Sequence, residues 1–85
     1  MADVEIYTRA TCGYCVRAKR LLAMRGAHYE EISIDGDAGS RAKMIERANG
    51  RTTVPQIFID GKHVGGCDDL FELEQAGELA ALLEA

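Results

Sequence analysis

The stretch Val4-Glu5-Ile6-Tyr7-Thr8-Arg9-Ala10-Thr11-Cys12-Gly13-Tyr14-Cys15, together with the run that follows it, decides the fold. Val4 to Tyr7 is rich in β-formers and reads as a short strand, and Thr8 to Thr11 as a loop. From Gly13 to Arg25 the residues favour helix, with Cys15, Ala18 and Leu22 recurring at helical spacing. Gly26 is a C-terminal stop, with Arg25 in the last turn. The pair Cys12 and Cys15 therefore falls where a strand gives way to the first turn of a helix.

Working outward, His28 to Ile34 reads as a second strand with Tyr29, Ile32 and Ile34 apolar, and Asp35-Gly36-Asp37 as a loop. Ala38 to Ala48 reads as a second helix burying Ala42, Ile45 and Met44, ended by Asn49-Gly50. Val54 to Asp60 contains Ile57-Phe58-Ile59, a strand expected to be buried on both faces. Asp60-Gly61 is a hairpin-turn dipeptide, and Lys62 to Gly65 the short return strand. Cys67 to Gln75 is a third helix with Asp68 and Asp69 near its start, and Glu78 to Glu84 allows a fourth. The order β-α-β-α-β-β-α predicts an α/β fold. A right-handed crossover makes the first two strands parallel, and the hairpin adds an antiparallel pair. One four-stranded mixed sheet with helices on both faces satisfies every connection. A Cys-x-x-Cys opening the helix after the first strand is the thioredoxin-like arrangement.

The chain has 85 residues, 47% hydrophobic and 28% charged, with a single proline. That length and composition predict a single domain over residues 1–85, and exclude disordered and collagen-like classes. No apolar run approaches the ~18 residues of a membrane span. The N-terminus has neither a basic nor an apolar signal region, so a cytoplasmic location is expected. A net charge of −4 argues against nucleic acid as a partner. The charge is uneven: Arg9, Arg17, Lys19, Arg20 and Arg25 stand without an acid among them, and Cys67 to Ala85 carries only acids. These runs read as solvated helix faces, or as a basic surround that favours a thiolate and an anionic substrate.

Three cysteines are too few, and odd in number, for a disulfide framework. In a reducing compartment they call for a chemical reading. Cys12 lies at a helix N-terminus, where free backbone N–H groups and the helix dipole favour an anion. Cys15, one turn deeper, is expected to be more buried. Cys12 then attacks and Cys15 resolves. Tyr14, between them, can shield the sulfur and pack on a substrate. A zinc site needs four ligands, and with only Cys67, His28 and His63 to add it is poorly supported.

Two further segments carry signal. Pro55 in Thr53-Val54-Pro55 precedes the buried strand. It reads either as an ordinary trans proline at a strand start or as a cis bond whose bend turns the preceding N–H and C=O outward, toward an extended peptide-like ligand. In Gly65-Gly66-Cys67-Asp68-Asp69, two glycines allow close backbone approach and a helix N-terminus can hold a carboxylate. An aspartate there can instead cap the helix or meet an ammonium group.

In this order, Cys12-Gly13-Tyr14-Cys15, Thr53-Val54-Pro55 and Gly65-Gly66-Cys67-Asp68-Asp69 make the chain resemble the glutaredoxins over essentially its whole length, including Gly50-Arg51-Thr52-Thr53-Val54-Pro55-Gln56-Ile57-Phe58-Ile59. The resemblance implies a thioredoxin fold and glutathione-dependent thiol–disulfide oxidoreductase activity on protein disulfides and glutathione mixed disulfides, by a monomer, with glutathione as co-substrate and no metal. It implies Cys12 as nucleophile and Cys15 as resolving thiol. Thr53, Val54 and a cis Pro55 would hold the cysteinyl unit of glutathione. Gly66, Cys67 and Asp68 would meet its γ-glutamyl end, with Asp69 assisting and Tyr14 packing alongside. Arg9 stands where the family usually has a lysine near the glycyl carboxylate, and Arg41 or Lys43 would supply a second basic partner. Gly13 departs from the proline commoner in the dithiol motif. Some members with glycine there hold a [2Fe-2S] cluster between two subunits, which gives the alternative of a cluster carrier or redox sensor.

Overall fold

The computed structural model describes residues 2–84. In chain order the elements are β1 (Val4–Thr8), α1 (Gly13–Met24), β2 (Tyr29–Ser33), α2 (Ala38–Arg47), β3 (Gln56–Ile59), β4 (Lys62–Gly65), α3 (Cys67–Gln75) and α4 (Leu79–Glu84). The sheet order is β2-β1-β3-β4. β1 is parallel to β2 and antiparallel to β3, which is antiparallel to β4. This is the mixed four-stranded sheet of a thioredoxin fold, with the allowed fourth helix present.

Strand alternation divides the core between the two faces. Val4, Ile6, Ile57 and Ile59 point toward α1, α3 and α4, where they meet Ala18, Leu21, Leu22, Leu70, Leu79 and Leu83. Tyr7 and Phe58 point the other way and are covered by Met44 of α2 and by Ala48, its C-cap. Ile57, Phe58 and Ile59 are all buried, so β3 is covered on both faces as expected. β3 begins at Gln56 rather than Val54, because Pro55 has no N–H to give a ladder.

The second helix departs from the expected packing. Met44 is fully buried and Ile45 half-buried, but Ala42 is exposed and Ala48 takes the second buried place. At about 100° per residue, Ala42 lies roughly 200° around the helix from Met44, whereas Ala48 is its i+4 neighbour. Asp37 caps this helix, accepting the Ser40 N–H at 3.1 Å. Arg47 completes the face: its guanidinium lies 4.0 Å from the Phe58 ring centroid, donates to both Glu5 carboxylate oxygens and donates to the Tyr7 hydroxyl.

At the C-terminal end of β1 the chain turns directly into α1, while β3 and β4 bring the Pro55 loop and the start of α3 to the same end of the sheet. That convergence builds the site.

Candidate active site

Cys12 is the N-cap of α1, with extended backbone (φ −135°, ψ 106°), and its Sγ accepts the Cys15 N–H at 3.1 Å. The thiol therefore takes the place that a serine or aspartate oxygen takes at other helix starts. The same sulfur lies 3.8 Å from the carbonyl oxygen of Val54, joining the α1 N-terminus to the Pro55 loop. Cys12 is half-buried and Cys15 fully buried, and both are free thiols. Burial pushes the Cys15 thiol up to about 12, reinforced by its hydrogen bond to Cys12 and opposed by the backbone of Arg9. The two sulfurs are thus unequal by environment: one is reachable and the other held protonated beneath it.

The Val54–Pro55 bond is cis, which decides between the two readings of that proline. Across from it, α3 starts at Cys67 with Gly66 as its N-cap. Asp69, at the third helical position, reaches back to accept the Gly66 N–H at 2.8 Å. That bond outweighs burial and, with the Arg51 guanidinium 3.1 Å away adding to it, holds the Asp69 carboxyl below the usual carboxylate range. Gly65 has φ +121°, and a Cβ there would meet the Asp69 carboxylate and lie 2.9 Å from Arg51 Nη1. Glycine is required at this position by both backbone and space. Cys67 is buried, and burial raises its thiol as well.

Between the loop and this helix start runs a groove of about 310 Å³, lined by Tyr14, Arg51, Thr53, Val54, Pro55, Gly66, Cys67, Asp68 and Asp69. The fold thus gathers the residues expected to contact glutathione except the basic ones: Arg9, and Arg41 and Lys43 of α2, are exposed and outside the lining, and Arg51 is the basic residue that lines the groove. A larger hollow of about 570 Å³, bounded by β4, α3 and α4, carries no thiol. The groove beside Cys12 is the one that can present a substrate to a nucleophile. Among the described residues no three His, Cys, Asp or Glu side chains cluster as metal ligands, so His28, His63 and Cys67 do not assemble the zinc site considered above.

Two residues of the site carried no sequence-level expectation. Arg51 reaches the groove by pairing with a residue 18 positions away, and nothing in its neighbours signals that. Gln56 is fully buried, donates to the Thr53 carbonyl at 3.0 Å and contacts His63 Nε2 through Oε1 at 2.6 Å. A polar residue opening an otherwise apolar buried strand was the available signal.

Comparison with known proteins follows the same lines. The glutaredoxin family model matches residues 4–64. Glutaredoxin 3 of Escherichia coli strain K12 is 58% identical over 84 residues, covering 99% of this chain and 100% of that protein. A glutaredoxin of Pseudomonas aeruginosa is 55% identical over 85 residues, covering both chains completely. Among solved structures, a buckwheat glutaredoxin–glutathione complex superposes with a TM-score of 0.88 at 35% identity, over 98% of this chain and 77% of that one. The solution structure of a Brucella melitensis glutaredoxin gives 0.85 at 57% identity, over 98% and 89%.

Proposed function

The chain belongs to the glutaredoxin family and is a thiol–disulfide oxidoreductase, and on that premise we propose that Cys12 and Cys15 perform the exchange with glutathione as co-substrate. The observation that carries the reading is the placement of the Cys12 sulfur: helix N-cap, 3.1 Å from the Cys15 nitrogen and 3.8 Å from the Val54 carbonyl oxygen, beside a groove of about 310 Å³.

In the one-thiol route the Cys12 thiolate attacks the glutathionyl sulfur of a mixed disulfide. The old S–S bond breaks, the protein leaves as thiolate, and Cys12 carries glutathione. A second glutathione thiolate attacks that sulfur, giving glutathione disulfide and restoring Cys12. In the two-thiol route Cys12 attacks a protein disulfide and Cys15 then attacks Cys12 Sγ, its proton going to the departing substrate thiolate. Burial keeps Cys15 protonated in the free protein, so it becomes a nucleophile only when such a leaving thiolate is at hand.

For the groove, the proposal follows the family pattern. The Val54 main chain pairs with the cysteinyl unit, with Thr53 and Pro55 shaping the loop and Tyr14 closing one side. Gly66, Cys67 and Asp68 meet the γ-glutamyl end, while Asp69 holds the α3 N-terminus together. Arg9 reaches the glycyl carboxylate from outside the groove, and Arg51 adds positive charge within it. The proposed setting is the cytoplasm, where thiols stay reduced, with disulfide-containing or glutathionylated proteins as partners of a monomer. No helix is long and apolar enough to cross a membrane among the described residues. The family match supports exchange rather than cluster carriage.

The test is reduction of a glutathionylated peptide in a glutathione-coupled assay. Cys12→Ser removes the first attack and is expected to abolish turnover; a serine variant working at near wild-type rate sinks the assignment.

A further inference from the structure

Gln56 stands out among the core residues because it is polar, fully buried and satisfied only by groups of the active-site loop and the edge strand. Its Nε2 donates to the Thr53 carbonyl at 3.0 Å and approaches Thr53 Oγ1 at 3.4 Å. Its Oε1 faces His63 Nε2 at 2.6 Å. With the amide nitrogen committed to Thr53, the oxygen must accept, so His63 carries its proton on Nε2. The His63 ring in turn lies tilted against Phe58, centroids 5.1 Å apart and planes at 33°. The carboxamide therefore cannot rotate without losing partners at both ends.

What this holds is a peptide plane. The Thr53–Val54 bond is trans, since Val54–Pro55 is the cis bond among the described residues. In a trans peptide the C=O and the following N–H point in opposite directions within one rigid plane. Drawing the Thr53 oxygen inward to Gln56 turns the Val54 N–H outward, and that N–H donates to no group among the described residues. A donor into the carbonyl also polarises the unit and strengthens its N–H.

We infer that Gln56 is a positioning residue, which fixes the Thr53–Val54 peptide so that the Val54 N–H is aimed at the backbone of the incoming glutathionyl unit. The inference deepens the reading of Val54 as the main-chain partner of glutathione, and rests on it. Gln56 touches no reacting atom; it acts through the loop. The charged groups around this chain of contacts are Arg51 and Asp69, which act on His63, and Arg47 over Phe58.

The experiment uses the full chain and a glutathionylated peptide. Gln56→Met keeps length and burial but removes the donor. It is expected to raise KM about three- to tenfold, the factor of one lost hydrogen bond, with kcat and the rate of Cys12 alkylation by iodoacetamide within about twofold of wild type. Gln56→Glu keeps the shape and the His63 contact. Its carboxyl donates to Thr53 when protonated and opposes that carbonyl when ionised. Its KM relative to wild type is therefore expected to be near one in acid and to rise as the introduced carboxyl titrates. A normal KM in Gln56→Met, or a loss confined to kcat, overturns the proposal; should that variant not fold, a KM ratio flat with pH in Gln56→Glu does so. The underlying reading is tested separately with wild-type protein and a peptide carrying a glutathione analogue whose cysteinyl carbonyl is reduced to a methylene, which removes the acceptor for the Val54 N–H. If that change leaves the wild-type KM unchanged, Val54 is not the partner and that reading fails. If it raises KM while both variants behave as wild type, the failure belongs to Gln56 alone.

Discussion

At the scale of single residues, the site depends on two thiols three positions apart being placed in unlike surroundings. Cys12 is half-buried at a helix cap, and Cys15 is buried with its thiol pushed up to about 12. Cys15→Ser should therefore divide the two routes. Glutathione mixed disulfides need only Cys12 and an external glutathione, so deglutathionylation should persist. Protein disulfides reduced by the two-thiol route need Cys15, and a serine hydroxyl cannot replace an attacking thiolate. Mixed disulfides with such substrates should accumulate, visible by mass spectrometry of acid-quenched reactions. If both activities fall together, Cys15 is holding the turn rather than resolving. The cysteine pair was legible because Cys-x-x-Cys after a strand constrains both position and chemistry. Arg51 and Gln56 were not, because their roles arise from partners that only the folded chain brings near: Asp69 for one, His63 for the other.

At the scale of elements, the local signals that proved readable are those in which one residue type answers one backbone demand. Asp60-Gly61 turns β3 into β4 with φ of 52° and 78°, the conformation the hairpin dipeptide announced. Ala42 was misread because apolar residues around α2 do not mark a single stripe. That helix covers a sheet face containing Glu5, Tyr7 and Gln56, and so uses Arg47 as part of its inner surface. Two glycines of the site elements should answer substitution in opposite ways. Gly13 opens α1 with nothing within 4 Å of a Cβ, and Cys12 before it already has the extended backbone that precedes proline comfortably. Gly13→Pro places proline at the first helical position and should stabilise by about 0.4–1 kcal/mol, chiefly by restricting the unfolded chain. Gly65→Ala forces an L side chain to φ +121° against Asp69 and Arg51. It should destabilise by at least about 1–3 kcal/mol and weaken glutathione binding by disturbing the α3 start. Urea midpoints of the two variants check both signs, and a Gly65→Ala midpoint equal to wild type would remove Asp69 and Arg51 as constraints on this turn.

At the scale of the whole molecule, the uneven charge seen along the chain is partly resolved by pairing between distant elements. Lys19 of α1 meets Glu31 of β2 at 3.0 Å, and Arg25 at the end of α1 forms a two-pronged pair with Glu74 of α3. Arg17 lies over Tyr14 and Phe71, at 5.9 and 5.4 Å from their ring centroids. The basic run is thus largely a set of clamps from α1 to its neighbours, which neither the solvated-face nor the substrate reading anticipated. The clamp with the clearest acid signature lies on the opposite face, where Arg47 ties α2 to Glu5 of β1. The Arg47 hydrogen bonds lower the Glu5 carboxyl below its ordinary 4.5, outweighing the upward effect of burial. Below that value an unfolded chain takes up a proton that the folded one refuses, so stability must fall as pH drops through the window between 4.5 and the lowered folded value. Arg47→Met removes the hydrogen bonds and the cation over Phe58, and should cost about 1–3 kcal/mol near neutral pH. The variant's deficit should stay constant above about pH 5.5 and shrink on acidification through the carboxylate range, because wild type loses there what the variant never had. Paired urea titrations from pH 7 to pH 3 measure it, with the other acid-sensitive groups, Glu31, Asp37, Asp69 and His63, common to both proteins. A deficit that does not change with pH would mean that Arg47 holds α2 through Phe58 and the Tyr7 hydroxyl, with its pairing to Glu5 contributing nothing.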